Sequence, residues 1–219
     1  MEKKDLIAHS PVRYFDNATS AGLKDGEMGL VTAKKGLGKT SILVQFGIDS
    51  LLNDKALVHV SFDQQSSNVI AWYSSVMAEV AKKKNFNLDE VSEEIVRNRT
   101  ILNFNQETFT LPKVVNTLNA LKVGGIALGC VVVDGLDLSK TSKADLDCFA
   151  TFVKAEKMTA WFSYTNEAAD LKGTLDADKL SDFTTVGHLA ANGNALSLTI
   201  LKNGDGKANL DAKTLLFTK

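Results

Sequence analysis

Residues 33–40 read Ala-Lys-Lys-Gly-Leu-Gly-Lys-Thr, and their types and spacing suit the gripping of a phosphate chain. Gly36 and Gly38 let the backbone bend so that its N–H groups point at phosphate oxygens. Lys39 adds a positive charge there, which binds the anion and neutralises charge during phosphoryl transfer, so it counts as catalytic as well as binding. Thr40 can place its hydroxyl on Mg²⁺, and the helix expected from Ser41 onward turns its positive dipole end toward the same anion. The pattern is G-x-x-x-x-G-K-[ST] with Ala33 in the first glycine position, a substitution that keeps the small residue the turn requires. The candidate ligand-contacting set is Ala33, Lys34, Lys35, Gly36, Leu37, Gly38, Lys39, Thr40 and Ser41, with Lys34 and Lys35 adding positive charge around the phosphates.

A second mark is Cys-Val-Val-Val-Asp, residues 130–134. A carboxylate at the carboxyl end of a buried strand can hold Mg²⁺ through its water shell, which pairs Asp134 with Thr40 as the metal residues. Asp137 lies beyond the strand end and is the weaker candidate.

The elements that must position these residues follow from hydrophobic patterning. Residues 29–32 read as a strand entering the loop and 41–52 as the helix leaving it. A second strand at 56–62 precedes a helix over 67–83 whose apolar positions are Val69, Ile70, Tyr73, Val76, Met77 and Val80. Residues 88–97 suggest a short charged helix and 101–104 a third strand. Leu111–Val123 reads as an amphipathic helix ended by Gly124-Gly125. The unbroken β-branched run at 130–133 predicts a buried strand, 144–153 a helix and 160–164 another strand. Beyond these, 183–189, 195–201 and 214–217 read as strands, with the hairpin signals Asn-Gly-Asp-Gly at 203–206. Alternation of strand and helix predicts an α/β fold, a mainly parallel sheet between helices with a C-terminal antiparallel extension. Neither repeats nor a linker divide it, so a single domain over 1–219 is expected, with 1–26 as a lead-in.

Composition permits this and adds little. The 219 residues are 44% hydrophobic and 23% charged, enough to bury a core, and the formal net charge of −1 gives no general attraction to nucleic acid, which is allowed but not indicated. No apolar run approaches a membrane span and the start lacks the apolar core of a signal peptide, so a cytoplasmic protein with no membrane partner is expected. Cys130 and Cys148 read as small buried hydrophobes, not a disulfide pair. His9, His59 and His188 lack metal-ligand spacing. Trp72 and Trp161 are expected in the core, and Lys82-Lys83-Lys84 as a solvated helix end.

The phrase Gly-Glu-Met-Gly-Leu-Val-Thr-Ala-Lys-Lys-Gly-Leu-Gly-Lys-Thr-Ser-Ile-Leu-Val-Gln-Phe at 26–46 resembles the opening of RecA-type ATPase domains, especially the KaiC, RadA and DnaB branch. The likeness continues through Leu-Val-His-Val-Ser-Phe-Asp at 57–63, Asp134 and Leu201-Lys202-Asn203. It implies a RecA-like P-loop fold, ATP and Mg²⁺ as ligands, and Asp63 as the general base that polarises the attacking water. It also implies a homo-oligomer, ring or dimer, with the nucleotide near a subunit interface. A strand-end polar sensor falls among Tyr164, Thr165 and Asn166.

Three departures bear on rate. Asp63 is one methylene shorter than the usual Glu, and Gln64 stands where KaiC-like members carry a second acid. The Lys-x-Arg pair that reaches a neighbouring subunit's nucleotide becomes Lys202-Asn203-Gly204, which keeps Lys202 as the trans-acting catalytic residue and loses the arginine. The arginines are Arg13, Arg97 and Arg99. The expectation is ATP binding with slow Mg²⁺-dependent hydrolysis that couples nucleotide state to assembly or regulation. Alternatives are a degenerate ATP-binding module that hydrolyses little, a DNA-dependent helicase-like motor, and a ParA/MinD-like dimeric ATPase. The last is suggested by Lys34, though Lys35 takes a glycine position of that motif and Gly135 follows Asp134 where those proteins carry proline.

Overall fold

The computed structural model describes residues 3–20, 22–62, 64–84, 93, 95–168, 171 and 175–219. In chain order the elements are α1 (Lys3–Ala8), α2 (Val12–Ala18), β1 (Met28–Ala33), α3 (Lys39–Leu52), β2 (Leu57–Phe62), α4 (Ser66–Lys84), β3 (Arg99–Phe104), α5 (Leu111–Val123), β4 (Cys130–Asp134), α6 (Lys143–Ala155), β5 (Thr159–Thr165), α7 (Ala177–Ser181), β6 (Thr185–Asn192), β7 (Ala195–Lys202), β8 (Lys207–Leu210) and β9 (Phe217–Thr218). They build one nine-stranded sheet in the order β3-β2-β4-β5-β1-β6-β7-β8-β9. Strands β1 to β6 run parallel to their neighbours, and β6 to β9 pair antiparallel. The expected mixed sheet is what forms.

Alternation of side chains splits the core into two layers. Leu57, Cys130, Val132 and Trp161 face α3 and α4, whereas Val58, Val60, Val131, Val133 and Phe162 face α5 and α6. Phe46 of α3 stacks on Trp161 with ring centroids 4.0 Å apart, which seats the loop helix on β5. Strands β1, β2 and β4 are buried on both faces, so they read as nearly continuous hydrophobic runs. Arg13 of α2 bonds to Asp49 of α3 and to Asp16, tying the N-terminal helices to the same face.

Several expectations change. Cys130 is buried but Cys148 is exposed, because α6 turns Leu146, Phe149, Phe152 and Val153 inward and Cys148 lies on the opposite side. Trp161 is buried, yet Trp72 is 37% and Ile70 46% exposed. Helix α4 buries Val69, Tyr73, Val76, Met77 and Val80 along one stripe, and Ile70 and Trp72 fall outside it. The C-terminal strand expected at 214–217 shrinks to Phe217–Thr218, and Lys207–Leu210 takes the place beside β7. Lys83 is not merely solvated; its ammonium pairs with Asp211 at 3.1 Å. The segment 88–97 lies largely outside the described residues.

His59 is buried on β2, with Nδ1 3.0 Å from the Tyr73 hydroxyl and no partner at Nε2. Burial lowers its pKa from 6.5 to about 4; the Asp134 charge opposes this and Arg99 adds to it. The neutral ring is therefore required in the fold, while the unfolded chain takes up a proton near 6.5. Stability present above about pH 6.5 is lost as pH falls toward about 4. Urea melts across that range should show wild type losing stability more steeply than His59→Asn; parallel curves would contradict this.

Candidate phosphate-binding site

Strand β1 ends at Ala33, whose neighbours in the sheet are Thr165 of β5 and Leu189 of β6. The chain then turns through Gly36 (φ 84°) and Gly38 (φ 101°) before α3 begins at Lys39. Both glycines occupy the left-handed region that side-chain-bearing residues rarely adopt. Gly38 is the N-cap of α3 and supplies no side-chain cap, so the first N–H groups of the helix remain directed at the loop concavity. That geometry is a ready anion site.

The concavity is a cleft of about 680 Å³, lined in part by Lys35, Gly36, Gly38, Lys39, Thr40 and Asp134. A cleft of this size suits a nucleotide-sized ligand. The Lys39 ammonium is donated to the carbonyls of Ala33 and Lys34, each at 3.2 Å, so it stands inside the curve of its own loop. Burial lowers its pKa, and the charges of Asp134 and Glu167 partly offset that. The side chains of Lys34 and Lys35 are exposed, Leu37 packs on the core, and Ser41 is buried in the first turn, its carbonyl accepting from Gln45.

Asp134 sits only 3% exposed at the end of β4. Thr40 Oγ1 donates to its Oδ2 at 2.7 Å, and Ser163 Oγ donates to its Oδ1 at 2.6 Å. Ser163 in turn accepts the Gly135 N–H at 2.9 Å. Parallel pairing of β4 with β5, Val133 opposite Phe162, brings Ser163 beside the acid. The carboxylate is thus aimed by hydroxyls from two other elements. Thr40 and Asp134 place hard oxygen donors side by side, the type of donor that Mg²⁺ takes together with phosphate oxygens and water. The residues present fit that ion.

The remaining candidates are distributed as follows. Tyr164 and Thr165 line the cleft, whereas Asn166 is buried and donates its N–H to the Ala33 carbonyl at 2.9 Å. Asp63 lies outside the described residues, between Phe62 at the end of β2 and Gln64, which lines the cleft. Lys202 is not part of the cleft of its own chain; its ammonium donates to the carbonyls of Leu180 and Ser181, each at 3.3 Å, at the end of α7. Asp137 lines the cleft, its N–H held by Gln106 Oε1 at 2.7 Å. Burial raises the pKa of Asp137, but bonds from Ser139 and Lys140 outweigh this and lower it.

Sequence patterning did not single out Ser163, Gln106, Trp72 as a lining residue, or Leu215. A serine inside Ala-Trp-Phe-Ser-Tyr was the one available signal, a polar residue in an apolar strand.

The family model described as ATPase: KaiC matches residues 8–186. No curated protein matches the chain. The matched span contains the loop, β2, Asp134 and Ser163, and ends inside β6.

Proposed function

The chain belongs to the KaiC ATPase family, a RecA-like P-loop family, and from that premise we propose that it binds ATP with Mg²⁺ and hydrolyses it slowly, using nucleotide state to direct assembly or regulation. The observation that carries this reading is the meeting of Thr40, Asp134 and Ser163 beside the Lys39 loop. Lys39 and the α3 amides hold the phosphates, and Thr40 and Asp134 hold Mg²⁺. When bound, that ion neutralises charge on the phosphate oxygens. Ser163 fixes one carboxylate oxygen of Asp134, so the acid meets its ligand without reorienting. Asp63 accepts the proton of the attacking water, and Thr165 contacts the terminal phosphate.

Whole-chain function follows the same reading: residues 1–219 act as one ATP-binding unit in the cytoplasm, assembled as a ring or dimer. Lys202 can act on a neighbouring subunit's nucleotide only by leaving the two carbonyls it now serves. That fits slow turnover.

A second reading, an ATP-binding module with negligible hydrolysis, is favoured by the arginines. Arg13 is engaged with Asp16 and Asp49, and Arg99 lies 4.6 Å over the Tyr73 ring, so neither is poised as a finger, which leaves the exposed Arg97 as the third arginine. Phosphate release at saturating ATP and Mg²⁺ separates the two. Asp63→Ala should slow turnover by about 100-fold or more, the usual worth of a general base. Equal, near-background rates in both chains would overturn the enzyme reading and leave ATP binding standing.

A further inference from the structure

Leu215 lines the cleft, although it lies in the C-terminal turn, beyond the span that the family model matches. Its backbone is left-handed, φ 58°. A leucine holds that conformation only where the surroundings enforce it, and such residues gather at ligand clamps.

The enforcement comes from two sides. Within the turn, Asp211 Oδ1 accepts the N–H groups of Lys213 (2.9 Å) and Thr214 (3.0 Å), and the Asp211 carbonyl accepts the Leu215 N–H at 2.7 Å. Lys83, from the far end of α4, reaches both Asp211 Oδ2 at 3.1 Å and Thr214 Oγ1 at 3.3 Å. From α3, Gln45 is 3% exposed, and besides its bond to the Ser41 carbonyl at 3.2 Å both ends of its amide reach the same segment. Its Nε2 donates to the Leu215 carbonyl at 2.8 Å, and its Oε1 accepts the Phe217 N–H at 3.0 Å. The side-chain amide thus serves as a strand partner, joining the turn to the phosphate-loop helix.

The leucine side chain ends on the loop itself. A Cβ added to Gly38 would lie 2.8 Å from Leu215 Cδ1. In the sheet, Asp134 is carried by β4 on one side of β1, while the turn follows β8 on the other. A phosphate chain over Gly38 and Lys39 with its reacting end toward Asp134 therefore has its other end toward Leu215. The isobutyl group there offers apolar surface, which suits a sugar and base ring and not a phosphate.

We propose that Leu215 is a contact residue for the nucleoside part of ATP, and that the 211–217 turn is a latch on α3 that completes the site. This rests on the ATP-binding reading. Because Gln45 ties the latch to the helix that opens the loop, nucleoside binding and seating of the turn reinforce each other reciprocally.

The test uses the full chain, calorimetry, and two probes with Mg²⁺: ATP, and inorganic tripolyphosphate, which lacks the nucleoside. Leu215→Gly accepts the left-handed backbone without a side chain, and its thermal melt checks that it folds. Leu215→Ala is the second variant. Both should weaken ATP binding by about tenfold and leave tripolyphosphate within about twofold of wild type. Unchanged ATP affinity, or a parallel loss for both probes, would overturn the nucleoside contact. Amide exchange at Leu215 and Phe217 should slow with ATP and not with tripolyphosphate; exchange indifferent to ATP would overturn the latch. Wild type that binds tripolyphosphate and ATP equally contradicts this inference alone, whereas wild type that binds neither contradicts the ATP reading beneath it.

Discussion

Replacing Lys39 by alanine is expected to weaken ATP binding by at least about 100-fold, close to 3 kcal/mol, while leaving the fold intact. The ammonium stands 3.2 Å from the carbonyls of Ala33 and Lys34, inside the loop that the phosphates would fill. Of its two partners in the free chain, the buried Ala33 carbonyl keeps the Asn166 N–H and the exposed Lys34 can turn to water, so loss of the ammonium costs little stability. A bound polyphosphate would exchange those neutral partners for charged ones, and charge-assisted hydrogen bonds are about twice as strong. Lys39→Arg should not restore affinity, because a planar guanidinium needs more room than a compact ammonium within a fixed loop. Titration of ATP into each variant, with thermal melts alongside, checks both statements. Undiminished affinity in Lys39→Ala would mean that phosphate is held elsewhere.

A second large effect is expected from Asp134→Asn, a near-isosteric change. Thr40 and Ser163 each donate a hydroxyl hydrogen to one oxygen of this carboxylate. An amide can accept from only one of them and must present N–H₂ to the other, so one hydroxyl has to rotate. The negative charge that would attract Mg²⁺ disappears as well. Turnover at saturating ATP should fall by about 100-fold or more, because the metal's charge neutralisation is worth several kcal/mol. ATP binding in the presence of a chelator should stay close to wild type, since Lys39 and the loop amides are untouched. Phosphate release measured against Mg²⁺ concentration distinguishes the two. A variant with wild-type turnover and metal dependence would remove Asp134 from the metal site.

The parts of the fold that were legible in the chain are those where one strong local signal coincides with periodicity. The glycines at 36 and 38 fix a loop that must follow a strand and open a helix, and Met28–Ala33 and Lys39–Leu52 bear this out. The apolar run ending in Asp134 likewise becomes β4. What stayed hidden depends on pairing between distant segments. Ser163 reads as one more residue of an apolar strand until parallel pairing of β4 with β5 brings it to Asp134. Gln45 reads as a polar interruption in an apolar helix, and only the returning C-terminal segment explains its burial. Trp72 follows the general rule that tryptophan packs inside, yet the buried stripe of α4 runs through Tyr73 and Val76 and leaves it at the cleft. The helices of the lead-in, Lys3–Ala8 and Val12–Ala18, are too short to announce themselves by periodicity and are held by packing, α1 on α3 and α2 on β8, β9 and α3.

The central claim is that this cleft holds ATP through a lysine loop and a metal pair. Its most direct test is equilibrium titration of ATP into the full chain, with Mg²⁺ and again after chelation. The account predicts saturable binding of one nucleotide per chain, weakened by about tenfold when Mg²⁺ is removed. Absence of saturable binding, or isotherms that coincide with and without the metal, would contradict it.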